Sequence, residues 1–208
     1  MFYDASKRLI DILGSVFGLV LLSPLFLLVG ILIKLDSPGS IFYSHKRVGR
    51  GGDEFPLYKF RSMVRNADAI LWSDPKLLAE YKKSSFKLNN DPRVTRVGRI
   101  IRKFSIDELP QFWNILKGQM SVVGPRPYLK KELEDQQKVY PQTRELIKAL
   151  LLVKPGVTGF WQVSGRSDVN FDERIKMDVE YVKRRSLVYD FSIMIETIPA
   201  VIKGRGAR

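Results

Sequence analysis

The chain has 208 residues, 45% of them hydrophobic, with no cysteine and one histidine, His45. Disulfides, thiolate zinc sites and cysteine nucleophiles are excluded, and a serine-histidine triad or multi-histidine metal site would have only that one residue to pass through. The 35 Lys and Arg against 22 Asp and Glu give a formal charge of +13, which favours polyanionic partners: nucleic acid, anionic lipid or phosphorylated substrates.

This length and apolar content predict one sizeable domain preceded by a membrane segment, residues 1–36 followed by 37–208. Acid, base and nucleophile work then falls to Asp and Glu, and a metal would be a hard, oxygen-bound ion such as magnesium.

Ile12 to Ile33 carries no charge. As a straight helix it would be about 33 Å long, enough to cross a hydrocarbon core. The run is too long for a signal-peptide core, and no small-residue cleavage site follows it before Lys34. Pro24 cannot donate an amide proton to Val20, so a break is expected at Ser23-Pro24, where the Ser23 hydroxyl can serve the freed backbone. Lys7 and Arg8 precede the run, and Lys34, Lys46, Arg47 and Arg50 follow it, so both flanks favour the cytoplasm. A proline-kinked single span competes with a segment that enters, breaks and returns; the charge pattern leads us to the re-entrant form.

Ser40 to Phe60 reads as two strands joined at Gly51-Gly52. Met63 to Tyr81 is a polar helical stretch divided by Pro75. From Arg93 to Lys103, Val94, Val97, Ile100 and Ile101 recur at helical spacing among five cations. Those cations fit either a solvated face or a surface on anionic lipid or phosphate; the first suits most of them, and Arg102 least, because it lies beside the next motif. Tyr128–Leu151, Phe171–Arg185 and Asp190–Lys203 complete the expected helices, the last apolar enough for the core or the membrane interface.

The densest stretch is FSIDELPQFWNILKGQMSVVGPRP. Ser105 and Glu108 fit a capping box, with Glu108 merely structural. Alternatively a helix starts at Pro110, with Asp107 and Glu108 beside its N-terminus. Adjacent carboxylates would repel a phosphorylated substrate unless cations or a metal offset them. A workable division lets one carboxylate attack phosphorus and the other hold magnesium, with Arg102 and Arg126 meeting the anion. In GPRP, Gly124 to Pro127, two prolines stiffen the backbone around Arg126 after a strand SVV. KPGVTGFWQVSGR, Lys154 to Arg166, suits either a nucleotide-binding loop or a hairpin around Pro155-Gly156. Neither a GxGxxG nor a Walker-type motif is present.

Together these motifs, with YKFRSM, resemble the bacterial sugar transferase family, the monotopic phosphoglycosyl transferases, over nearly the whole chain. The resemblance implies an α+β, mainly α-helical fold: a re-entrant helix broken at Ser23 and Pro24, then a small cytosolic catalytic domain with a short β-hairpin and amphipathic interfacial helices. It implies Asp107 as nucleophile on the sugar-bearing phosphate of a UDP-sugar, Glu108 as both catalytic residue and Mg2+ ligand, and Arg102 and Arg126 as anchors for phosphate or carboxylate. Lys59, Arg61, Gln162 and Arg166 become phosphate or nucleotide contacts. The implied partners are a UDP-sugar, undecaprenyl phosphate and membrane phospholipid, with a homodimer admitted and no nucleic acid. The implied place is the cytoplasmic face of the bacterial inner membrane, with both termini cytoplasmic. The insert from Asn66 to Asn90 leans towards a hexose donor over an N-acetylated one. A non-catalytic basic binding module is the rival class, for which the GPRP loop and acid pair have no obvious use; a polytopic transferase would need many apolar spans.

Overall fold

The computed structural model describes residues 2–83, 88, 90–164 and 169–202. Two helices open the chain, α1 (Phe2–Leu21) and α2 (Ser23–Asp36), bent by 60° at Leu22. Pro24 leaves the Val20 carbonyl without its usual amide donor, and the Ser23 hydroxyl fills that place at 2.8 Å. Among the described residues no single helix is long and apolar enough to cross a membrane, but the bent pair is when taken together.

A hairpin follows, β1 (Phe42–Val48) and β2 (Glu54–Phe60), antiparallel and closed by a 3-10 turn at Arg50–Gly52. Gly51 and Gly52 have φ of 79° and 92°, the left-handed region that favours glycine. Tyr43 pairs with Lys59 and Arg47 with Phe55, so Tyr43, Arg47 and Lys59 share one face of the ribbon. Phe60 lies on the other face. It packs with Phe26, Val29 and Ile33 of α2, its ring centroid 5.0 Å from that of Phe26.

Helices α3 (Ala67–Ser73) and α4 (Pro75–Lys83) come next, with Pro75 opening the second as its sequence demands. The basic stretch forms α5 (Arg96–Lys103), starting three residues later than Arg93. Thr95 caps it by accepting from Gly98 N at 3.0 Å, while Asp36 of α2 accepts from Val97 N. Arg93 stays outside the helix and closes a buried ion pair with Asp91 at 2.7 Å.

The capping-box reading fails. Ser105 sits at φ 56° with no side-chain cap bond, and Ile106–Glu108 is a 3-10 turn rather than a helix start. A true helix, α6 (Gln111–Leu116), follows Pro110, close to the alternative expectation.

Three further expectations need correction. Tyr128–Leu151 is two helices, α7 (Lys130–Val139) and α8 (Arg144–Leu150), separated by a 3-10 turn at Pro141–Thr143, because Pro141 cannot continue the ladder. Pro155-Gly156 turns no hairpin: β3 (Ser121–Val123) and β4 (Gly156–Thr158) pair in parallel, 121 with 156 and 123 with 158. Beyond β4, residues 160–164, foreseen as loop, form a short helix, α9 (Phe160–Ser164). Helices α10 (Phe171–Arg184) and α11 (Leu187–Ile202) complete the described chain.

The first half of α1 is fastened to this body. Asp11 accepts from Ser121 Oγ and Val122 N on β3, and Arg8 donates to the last carbonyls of α6, Ile115 and Leu116. The rest of the helix pair keeps a broad apolar surface open, including Phe17, Val20, Leu21, Leu27, Leu28 and Leu35. α11 buries Ile193 but leaves Val188, Phe191, Ile195 and Ile198 uncovered, so it divides between the two fates its sequence allowed.

Candidate active site

A cleft of about 790 Å³ opens between the hairpin, the Ile106–Glu108 turn and the GPRP segment. Its shape follows from local periodicity. Ile106 and Leu109, three apart, sink into the apolar cluster around Val29 and Ile33, which leaves Asp107 and Glu108 to face the cleft. β2 supplies Lys59 opposite them. Its ammonium lies 2.6 Å from Glu108 Oε1 and 3.5 Å from Asp107 Oδ2.

The two carboxylates are tuned apart. Burial, reinforced by the neighbouring charge of Glu108, raises the pKa of Asp107, although Lys59 and Arg102 pull it back. Glu108 is also pushed up by burial, but Lys59 foremost, then Arg126 and Arg47, outweigh that and hold it below the usual carboxylate range. One acid is therefore firmly ionised beside cations. The other is the less hydrated and more basic, which suits a nucleophile.

Of the residues singled out in the sequence, Asp107, Glu108, Lys59, Arg61, Arg102, Arg126 and Gln162 all line this one cleft. Arg61 is spoken for, however: its guanidinium donates to the carbonyls of Pro38, Ser37 and Ile33 at the end of α2. Its visible work is to join the end of α2 to the end of β2. Arg166 lies outside the described residues. Arg126 lies over the Trp161 ring at 5.0 Å, and Arg174 of α10 stands over the same ring at 5.8 Å.

Sequence reading missed Arg47 and Glu132 as cleft residues; Trp161, from the stretch that suits a nucleotide-binding loop, lines the cleft as well. Arg47 is brought there by the strand period it shares with Tyr43 and Lys59, a signal available once the hairpin is recognised. Burial, with Arg126 nearby, lowers its pKa to about 10, so it remains a cation at neutral pH. Glu132 faces Arg174 at 3.6 Å, a pairing across 42 positions that no local pattern announces.

The described residues contain no cluster of three or more His, Asp or Glu suited to an all-protein metal cage. The pair Asp107-Glu108 does fit magnesium, which commonly takes one or two carboxylates and completes its shell with water and substrate phosphates. Lys59 already marks Glu108 as a cation position.

The sequence matches the family model described as bacterial sugar transferase across residues 2–204. It is 46% identical to the exopolysaccharide production protein ExoY of Sinorhizobium fredii, over 97% of this chain and 88% of that protein. It is 46% identical to the undecaprenyl-phosphate galactose phosphotransferase of Salmonella typhimurium, covering 97% of this chain but 41% of that protein. A protein of Aeromonas hydrophila named UDP-N-acetylgalactosamine-undecaprenyl-phosphate N-acetylgalactosaminephosphotransferase is 41% identical over 99% of this chain and 46% of its own length.

Proposed function

The chain belongs to the bacterial sugar transferase family and is a phosphoglycosyl transferase, and on that footing we propose that it moves a hexose 1-phosphate from a UDP-sugar to undecaprenyl phosphate through a covalent intermediate on Asp107. The observation that carries this reading is the Asp107-Glu108 pair, held with opposed pKa shifts in a cleft lined by Lys59, Arg47, Arg102 and Arg126. Asp107 attacks the sugar-bearing phosphorus; the bond to the bridging oxygen breaks and UMP leaves with that oxygen. A phosphate oxygen of undecaprenyl phosphate then attacks the same phosphorus, the bond to Asp107 breaks, and the carboxylate is restored.

Each neighbour has a task in these steps. Arg126 and Arg102 counter the phosphate charge that Asp107 must approach. Lys59 keeps the two acids from repelling each other before substrate arrives, and can turn to the phosphates afterwards. Magnesium, when bound, would be held by Glu108 and would neutralise the diphosphate.

The acceptor is lipid-anchored, and the open apolar surface of α1 and α2 supports insertion as a re-entrant pair. The cations on both flanks support a seat at the cytoplasmic face of the bacterial inner membrane, with both ends on that side. A hexose is the donor favoured here, with an N-acetylhexosamine as the alternative that the Aeromonas protein's name supports.

UMP release in detergent, with magnesium and undecaprenyl phosphate, across a panel of UDP-sugars tests the reaction and the donor together. Asp107→Asn is expected to abolish both release and covalent phosphosugar, and Glu108→Gln to depress turnover and shift its magnesium dependence. Full turnover by Asp107→Asn, or no release by folded wild type with any donor, would refute the reading.

A further inference from the structure

Asp178 takes no part in the chemistry above, yet it is fully buried. It lies on α10, whose neighbouring core positions Ile175 and Val179 are apolar. A carboxyl in such a place is unfavourable unless something uses it. Desolvation raises its pKa to about 7, even though the Tyr128 hydroxyl, the Arg126 amide and the charges of Arg126 and Arg174 all pull the other way.

What it holds is the GPRP segment. Oδ2 accepts from the Tyr128 hydroxyl at 2.8 Å and from the backbone N–H of Arg126 at 3.3 Å. One oxygen thus ties down two residues on either side of Pro127. Prolines at 125 and 127 have no amide proton, so the Arg126 amide is the lone backbone donor of that tripeptide, and it is spent on Asp178. The segment is stitched on its other flank to β4, through Gly124 N to Thr158 O and Gly156 N to Pro125 O. A Cβ on Gly124 would stand 2.6 Å from the Lys154 carbonyl oxygen, so the two backbones are in close contact there. The Arg126 guanidinium, with its root fixed this way, rests on Trp161.

We propose that Asp178 is a positioning residue for the transfer: from outside the cleft, it fixes the root of Arg126 so that the guanidinium meets the substrate's phosphates. The inference rests on the reaction proposed above.

The test is a double-mutant cycle on the full chain, reading UMP release and melting temperature together. Asp178→Ala lowers kcat by about a hundredfold, the loss expected when a group meeting transition-state charge is displaced by about 1 Å. Asp178→Asn, whose carbonyl oxygen can take both hydrogen bonds, stays within about threefold of wild type. In an Arg126→Ala background the Asp178→Ala change lowers the melting temperature as before but slows the reaction no further, since its route is already gone. Tyr128→Phe removes the other hydrogen bond to Oδ2; it reduces stability and leaves kcat within about twofold. Should Asp178→Ala not fold, Asp178→Ser repeats the cycle with a polar side chain too short to reach the Arg126 amide. Losses that multiply with Arg126→Ala, or a folded Asp178→Ala enzyme at wild-type rate, overturn the inference and leave the reaction standing. A wild type that releases no UMP from any donor refutes the reaction, and with it any positioning role in it.

Discussion

Replacing Lys59 by methionine keeps the length and apolar stem of the side chain and removes only the ammonium that separates Asp107 from Glu108. Removing one partner of a buried pair costs about 3–5 kcal/mol, because the other is left uncompensated. Lys59 and Glu108 each retain more than a quarter of their side-chain surface in solvent, 27% and 28%, so solvent screening brings the cost below that range, to about 2–3 kcal/mol. At about 2–4 °C per kcal/mol for a chain of this size, the melting temperature at pH 7 falls by about 5–10 °C. The pH dependence is the sharper test. The lowered pKa of Glu108, due chiefly to Lys59, contributes stability that is present above the unfolded value and lost as pH falls through the folded one. The raised pKa of Asp107 acts in the opposite sense: it subtracts stability above its folded value and stops doing so below the unfolded one. Without Lys59 both acids are raised, so the variant is worst off where both are ionised. The gap in melting temperature between wild type and Lys59→Met should be widest near pH 7 and narrow as pH falls towards about 4, where the raised carboxyls of the variant take up protons, closing fully only below the lowered pKa of wild-type Glu108. Thermal unfolding in detergent from pH 4 to 8 measures it. A gap that stays constant across that range would refute the idea that Lys59 acts by separating two charges.

Topology and anchoring give two further tests. A single cysteine at Phe2 in this cysteine-free chain should resist impermeant thiol reagents added outside intact cells; adding Pro24→Ala, which restores an amide donor for the Val20 carbonyl, should straighten the break and raise labelling if the bend keeps both ends on one side. Asp11→Ala strands the Ser121 hydroxyl and the Val122 amide, so it should lower stability by about 1–3 kcal/mol, read by thermal unfolding, and loosen α1 from β3, read by limited proteolysis after the first helix.

The parts legible in the sequence are those whose cause is local. Pro24 breaks the helix because its own nitrogen lacks a proton, Gly51-Gly52 turns the hairpin because two successive residues need positive φ, and Pro75 opens α4 because it is tolerated only in a first turn. Pro141 is equally legible: it divides the stretch from Tyr128 to Leu151, expected as one helix, into two. The parallel pairing of β3 with β4 joins residues about 35 apart and gives neither strand a turn signal, so Gly156 passed for a hairpin glycine. Among the site residues, Asp107, Glu108 and Arg126 announced themselves by chemistry in a short window. Asp178 did not, because in sequence it is one more acid on an amphipathic helix, and only packing brings it beneath Arg126.

The same packing explains how a polar reaction can meet an apolar acceptor. The turn that bears Asp107 and Glu108 rests on Ile106 and Leu109, which share a cluster with Val29 and Ile33 of α2 and with Phe60 beside Lys59. Arg61, the residue after β2, binds the Ile33 and Ser37 carbonyls at the end of α2, and Asp36 caps the helix that carries Arg102. The acid pair, its lysine and one of its arginines are thus each one or two residues from a direct contact with α2. In the proposed reaction, an acceptor phosphate anchored among lipid tails at that helix has little distance to cover to Asp107. The charged site is built on the bent helix pair itself, so a change in the bend at Ser23-Pro24 should register in the geometry of the acid pair as well as in topology.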